Sequence, residues 1–328
     1  MTNQTHRTRL LQTLIVLIIL LSLCFFAWSD SRGSGVRLTR TKLAIPGLKQ
    51  DYDIFLIADT HISLCDTRDA ALMEKADARR QAFFQESGKS ATKTFQSLIT
   101  KAEEERADLT VFAGDVIDSA MYASIDFVQG QLKRLSMPYL FVLGNHDFEY
   151  GSEYFSKKAY QEYFPRLSAL TGTGRQYVVK EYEDLVIAGI NDQNNQLPKE
   201  AVKALLPYLH GKKPVVLVLH VPLQPQYADS NLERQANDVW GLSKKGKCRV
   251  LIGEDACKPN KHTKKLLDAV FAKDSPVAAV FAGHIHFYNQ SMLLDEKKDA
   301  EKGMEKGSQI VSGAGYYGDA VKIHLTAK

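Results

Sequence analysis

Tyr139-Leu140-Phe141-Val142-Leu143-Gly144-Asn145-His146-Asp147 is the stretch on which the reading of this chain turns. An apolar, β-prone run stops at a glycine, then presents an amide, an imidazole and a carboxylate on consecutive residues. A buried strand that empties into such a turn puts polar groups on one rim of a sheet, where α/β proteins keep their sites. Gly, Asn and Asp also favour turns for purely local reasons, so the stretch alone decides little. It gains weight because four further apolar runs end in the same way.

Asp53 to Ala58 ends in Asp59-Thr60-His61, and residues two apart in an extended chain point the same way, so both can reach one ion. Leu109 to Ala113 runs into Gly114-Asp115-Val116-Ile117-Asp118, a carboxylate at a strand end with a second one about a helical turn later. Val215 to Leu219 ends at His220, and Val277 to Ala282 closes on Gly283-His284-Ile285-His286. His61, His146, His220, His284 and His286 all fall at these ends, leaving only His6, His210, His262 and His324 elsewhere. Chance rarely collects histidines so.

Around these ends the chain alternates sheet and helix. The spacing predicts helices over Ala91 to Arg106, Ser124 to Leu135, Glu153 to Phe164, Lys199 to Leu206 (stopped by Pro207) and Lys265 to Phe271. Gln176 to Lys180 and Leu185 to Ile190 read as paired strands around a turn at Asp184. Phe287 to Leu294, Ser308 to Ser312 and Val321 to Leu325 read as late sheet. The Gly313 to Gly318 turn lacks the Lys-Ser/Thr of a phosphate loop. Residues 223–263 show no clear periodicity and turn basic in their second half, through Lys244, Lys245, Lys247, Arg249, Lys258 and Lys261. That segment reads either as a solvated loop or as a cap or loop insertion that attracts an anionic substrate or an anionic membrane surface.

At 328 residues and 45% hydrophobic, the chain can bury the core of one large domain. A net charge of +4 does not argue for nucleic acid, and four cysteines are too few for a disulfide framework. Cys248 and Cys257 could pair in an oxidising compartment or stand as thiols. Leu10 to Trp28, which includes Cys24, is almost wholly apolar and follows Arg7 and Arg9. Its length just reaches the ~20 residues that cross a bilayer and exceeds the ~7–15 of a signal-peptide core. Residues 1–29 are therefore expected to be a signal-anchor, or a signal peptide if cleaved near Ala27-Trp28-Ser29. Residues 30–50 form a linker and a first strand at Val36 to Leu43, and 51–328 the main domain. Arg32, Arg37, Arg40 and Lys42 weaken a positive-inside count. The expected location is still membrane-anchored and extracytoplasmic, or secreted.

The order and spacing of Asp59-x-His61, Gly114-Asp115-x-x-Asp118, Gly144-Asn145-His146-Asp147, His220 and Gly283-His284-x-His286 resemble the calcineurin-like metallophosphoesterase superfamily, over roughly Asp53 to His286. The resemblance implies a four-layer α/β/β/α sandwich with a dinuclear metal centre at the strand ends. It implies that Asp59, His61 and His286 hold one metal, Asn145, His220 and His284 the other, and that Asp115 bridges them. Such a nitrogen and oxygen set suits Mn, Fe or Zn and offers no thiolate. The implied activity is hydrolysis of phosphate monoesters or diesters. A metal-bridging hydroxide attacks phosphorus, His146 protonates the leaving oxygen, and Asp118 holds its imidazole. For Asp147 a turn or capping role is preferred.

Ser119 stands where phosphoprotein phosphatases carry Arg, and Asp118 where purple acid phosphatases carry Tyr, which argues against both branches. A small phosphoester, or a lipid or envelope phosphoester near the bilayer, is the expected substrate. The alternatives are a noncatalytic metal-binding scaffold, which should lack ligands that are all present here, and a nuclease, which needs a longer basic groove.

Overall fold

Apolar side chains fill both faces of the central strands, and that dictates the layers. In β2 (Tyr52–Ile57), Ile54 and Leu56 point one way, Phe55 and Ile57 the other, and all four are fully buried. A strand buried on both faces needs cover on each side. The computed structural model describes residues 35–148, 157–192, 195–227, 230–240, 250–253, 258–294 and 307–327. The Leu10 to Trp28 run, Cys24, Cys248, Cys257 and Lys244 to Arg249 lie outside them. Among the described residues no helix is long and apolar enough to cross a membrane.

Two sheets result. The first places β1 (Arg37–Ile45), β11 (Asp319–Ala327), β2, β3 (Leu109–Ala113) and β4 (Tyr139–Val142) side by side in that order. Strands β2, β3 and β4 are mutually parallel, and β11 runs against β2. The second has the order β5 (Tyr177–Glu181), β6 (Val186–Ile190), β7 (Val215–Val218), β8 (Val277–Ala282), β10 (Ser308–Val311) and β9 (Asn289–Met292). Here β6, β7, β8 and β10 are parallel, with β5 and β9 as antiparallel edges.

Between the sheets lie Ile54, Leu56, Val111, Leu140 and Val142 from one, and Ile187, Val216, Val218, Phe281 and Ile310 from the other. The sheets approach closely at Gly189 of β6. A methyl group there would lie 2.5 Å from Val142 Cγ1 and 2.9 Å from Val178 Cγ1. Outside the first sheet, helices α2 (Ala91–Glu105), α3 (Tyr122–Leu132) and α4 (Lys157–Thr171) cover Phe55, Phe112 and Phe141. Outside the second, α5 (Lys199–Leu209) and α7 (Lys261–Val270) cover Val186, Val215, Leu217 and Val280. The arrangement is helix, sheet, sheet, helix.

Three features depart from the sequence expectations. Helix α5 does not stop before Pro207 but continues to Leu209. The proline removes one hydrogen bond in the last turn, while burial of Leu205, Leu206 and Leu209 holds the helix together. Helix α1 (Met73–Ser87) is well formed although only Ala76 and Phe83 of it are buried, too thin a stripe to read as helical spacing. Helix α6 (Asn231–Trp240) likewise stands inside the stretch expected to be irregular and buries only Leu232 and Ala236.

One polar contact ties a helix layer to the first sheet. Both guanidinium donors of Arg40 on β1 reach the Glu105 carboxylate at 2.7 Å, and Lys101 and Lys322 approach it at 3.1 and 3.4 Å. The Arg40 hydrogen bonds, ahead of an opposing burial effect, lower the Glu105 carboxyl to about 2. Its unfolded value is about 4.3. A depressed carboxyl stabilises the fold above its unfolded pKa and loses that contribution as pH falls through its folded one. Between pH 4.3 and 2 the wild type is therefore expected to lose about 2 kcal/mol that Glu105→Gln does not lose, after allowing for screening of the exposed Arg40. Denaturant melts across that range check it, and parallel curves for the two proteins would contradict it.

Candidate metal centre

Each parallel strand delivers polar residues at its carboxyl end. Asp59 and His61 follow β2, Asp115 and Asp118 follow β3, and Asn145, His146 and Asp147 follow β4. From the second sheet come Asp192 after β6, His220 after β7, and His284 and His286 after β8. The two sheets thus bring six of the seven expected ligands, from four strand ends, to one place, and Asn145 stands on the turn whose neighbours Gly144 and His146 contact Asp147 and Asp115 there.

Three groups of donor atoms lie within 4.8 Å of one another: Asp59, His61 and His286; Asp115, His220 and His284; and His61, Asp118 and His146. In the first, His61 Nε2 faces His286 Nε2 at 3.3 Å, and His286 Nε2 stands 3.5 Å from Asp59 Oδ1. In the second, His220 Nε2 lies 3.0 Å from Asp115 Oδ2 and 3.1 Å from His284 Nδ1. The other His220 nitrogen, Nδ1, lies 2.8 Å from the Ala113 carbonyl. A carbonyl only accepts, so Nδ1 carries a hydrogen there, and Nε2 is the nitrogen turned toward Asp115 and His284.

The backbone holds these side chains in an unusual conformation. Asp59, His61, Asp115, His284 and His286 all have positive φ, from 47° to 75°. For residues with a side chain, the left-handed region costs roughly 1–3 kcal/mol each and persists only where surroundings impose it. Here the Asp59 and His61 amides donate to the Gly114 and Asp115 carbonyls at 3.0 Å. The His146 amide donates to Asp115 Oδ1 at 2.7 Å and the His284 amide to Asp59 Oδ2 at 2.8 Å. Gly144 makes room for this crossing. A methyl group on it would lie 2.3 Å from Asp115 Oδ1 and 2.7 Å from His220 Cδ2.

Behind the ligands stand two more carboxylates. Asp147 accepts from the Asp115, Ile117 and Gly144 amides at 2.9, 2.9 and 2.7 Å, which is a turn-shaping role. Asp192 does the same for the His220 and Val221 amides at 2.9 and 2.8 Å. Nothing in the sequence distinguished Asp192 from the polar loop around it.

Asp118 sits beside the candidate ligand groups. It is fully buried, and its Oδ1 lies 2.7 Å from His146 Nδ1 and 3.3 Å from His61 Nδ1. Arg79 of α1 closes the cluster, with Nε 2.6 Å from Asp118 Oδ2 and Nη2 3.2 Å from Oδ1. Burial alone would raise the Asp118 carboxyl, but the hydrogen bonds from His146, His61 and Arg79 hold it well below the usual range. From the same helix Phe83 stacks on the His61 ring at 4.4 Å. Glu86 accepts from Tyr316 Oη at 2.6 Å, and Tyr316 Oη lies 3.4 Å from His286 Nδ1. Arg79, Phe83 and Glu86 share one helical face, a signal legible only once α1 itself is recognised.

The donor set fits cations on the structure's own terms. Among the described residues, Asp59 Oδ1 and Asn145 Oδ1 are buried side-chain oxygens without a hydrogen-bond partner. Leaving such atoms bare costs about 1–3 kcal/mol each. The field at the centre is negative: burial opposes a charge on His220, yet Asp115 and Asp59 overcome it and lift the imidazole to about 10. Mixed imidazole, carboxylate and amide oxygen suits Mn, Fe or Zn.

Comparison with family models matches residues 52–288 to the calcineurin-like phosphoesterase family. Comparison with curated proteins gives no match. Among solved structures, the chain resembles a dimetal phosphatase from Danio rerio at 13% identity and a TM-score of 0.46, over 81% of this chain and 88% of that one. It resembles a purple acid phosphatase from yellow lupin seeds at 15% identity and 0.49, over 84% of this chain and 45% of that one. It also resembles the calcineurin-like phosphoesterase YfkN from Bacillus subtilis at 14% identity and 0.41, over 81% and 82%. Nothing about substrate follows from likenesses of this degree.

If Asn145 and His284 both belong to one of two ion positions, removing either should empty that position and leave the other filled. After reloading with Mn²⁺, elemental analysis of Asn145→Ala or His284→Ala is expected to find about one metal equivalent where the wild type holds about two. Two full equivalents in either variant, with unchanged circular dichroism, would sink the ligand assignment.

Proposed function

The chain belongs to the calcineurin-like phosphoesterase family, and from that premise we propose that it is a divalent-metal-dependent hydrolase of phosphate esters with His146 as the proton donor to the leaving oxygen. Asp59, His61 and His286 would hold one ion and Asn145, His220 and His284 the other, with Asp115 between them. Two such ions, when bound, would acidify a water and offset charge on the phosphoryl oxygens.

The observation that carries the proposal is the His146–Asp118 pair. Contact with the Asp118 carboxylate fixes a proton on His146 Nδ1 and turns Nε2 away from it. His146 stays about a third exposed while Asp118 is buried, so the imidazole is the member of the pair that meets a ligand. Burial opposes its charging, but Asp115 and Asp118 outweigh this and raise its pKa, which favours the imidazolium needed in an acid. Arg79 completes the arrangement. Its guanidinium keeps Asp118 ionised, so the carboxylate orients the imidazole without taking its proton outright.

A small phosphoester, or a lipid or envelope phosphoester, is the substrate class in keeping with the apolar Leu10 to Trp28 run and the modest net charge of +4. The same run supports a membrane-anchored domain outside the cytoplasm, or a secreted one if the leader is removed.

Mn²⁺-reloaded protein is expected to turn over p-nitrophenyl phosphate or bis-p-nitrophenyl phosphate, and a chelated control neither. His146→Ala should slow an alkyl phosphoester by about 10²–10⁴-fold with metal content intact. Its effect on a p-nitrophenyl ester should be much smaller, because p-nitrophenolate leaves without a proton. Equal losses on both substrates, or loss of metal from the variant, would overturn the acid role.

A further inference from the structure

The open side of the centre is bounded by the partly exposed side chains of Arg79, His146 and His286. Beside them stands Trp240, the last residue of α6, which the proton chemistry does not use. Its ring lies 5.6 Å from that of His286, edge-on at 72°, and its Nε1–H donates to the Ile285 carbonyl at 3.1 Å. Even so, 45% of the residue is exposed. The one polar atom of the indole is already paired inside the protein, so what remains on show is apolar ring.

That ring is held in place. Leu232 of α6 buries against Leu251 and Ile285, and Gln235 Oε1 accepts from Asn289 Nδ2 of β9 at 2.8 Å. On another side of His286, Tyr316 packs at 5.4 Å and is itself backed by Phe83. The His286 imidazole therefore sits between a buried aromatic cluster and an indole turned to solvent. Apolar surface of this size is unfavourable in water and becomes favourable when a ligand covers it.

We infer that Trp240 is a specificity-determining residue, and that the substrates carry an apolar leaving group, an aromatic ring or an alkyl chain on the ester oxygen, which covers the indole. The inference rests on the phosphoesterase reading and adds the chemical class of the substrate. Arg79, His146 and His286 present cationic or hydrogen-bonding groups at this rim, which favour the phosphoryl end of a substrate over an apolar one. Among the described residues in contact with His286, the indole is the apolar side chain turned to solvent.

Trp28 and Trp240 are the only tryptophans, so the full-length chain carrying Trp28→Phe reports on Trp240 alone. The Mn²⁺-loaded protein is titrated with methylphosphonate, naphthylmethylphosphonate and octylphosphonate, whose C–P bonds resist hydrolysis. Both apolar phosphonates are expected to change the indole emission and to bind about tenfold or more tighter than methylphosphonate. By calorimetry, Trp240→Ala should erase that advantage while keeping metal content and methylphosphonate affinity, and Trp240→Phe should restore most of it for the naphthyl compound. Equal affinity for the three probes in the wild type overturns the inference, as does an advantage that survives Trp240→Ala. A metal-loaded wild type that binds none of the three and hydrolyses no ester brings down the phosphoesterase reading, and this inference with it.

Discussion

Five carboxylates, Asp59, Asp115, Asp118, Asp147 and Asp192, are buried where the two sheets bring their strand ends together. Buried carboxylates are tolerated only when something compensates them, and the surrounding structure can be read as that compensation. Backbone amides satisfy Asp147 and Asp192. Asp118 takes a guanidinium and two imidazoles. Asp59 and Asp115 are left facing imidazoles across distances that a cation would fill. The site is thus a graded set of answers to one electrostatic problem. Only its innermost members call for an ion.

The same convergence explains the backbone. A strand that ends in an ordinary turn would carry its side chains past the rim, whereas a left-handed residue folds the chain back over the sheet end. Five candidate ligands adopt that conformation, on three strand ends and in both sheets. The strain is offset by hydrogen bonds between neighbouring strand-end loops, such as those from Asp59 and His61 to the loop after β3. The parallel core strands are therefore the support of the site as well as of the fold, which is why strand order and ligand order agree.

Much of this was legible in the residues. Continuous apolar runs mark strands buried on both faces, and a polar cluster at the end of each run marks the rim; the layer order and the seven candidate ligands between Asp59 and His286 came only with the family resemblance that those clusters carry. What stayed hidden had a common cause. Helices α1 and α6 each bury only two residues, so apolar spacing, which detects burial, passes over them. Asp192 and Tyr316 were invisible for another reason: their roles are set by contacts to residues far off in sequence, to His220 and to Glu86 and His286. No local pattern records such pairings.

Helix α1 shows what its thin apolar stripe means physically. With little core to bind it, the helix is held on the domain through the site. Ser63 Oγ donates to the Ala76 carbonyl at 3.0 Å, Arg79 grips Asp118, Phe83 stacks on His61, and Glu86 receives Tyr316 and Tyr317. Contacts that hold a helix to three imidazoles also hold the imidazoles to the helix, and free-energy coupling of this kind is reciprocal. The order of α1 and the geometry of His61, His146 and His286 are therefore one equilibrium seen from two sides. A helix fixed mainly by the apolar core could shift without moving the centre; this one cannot, because its anchors are the groups that set His146 against Asp118.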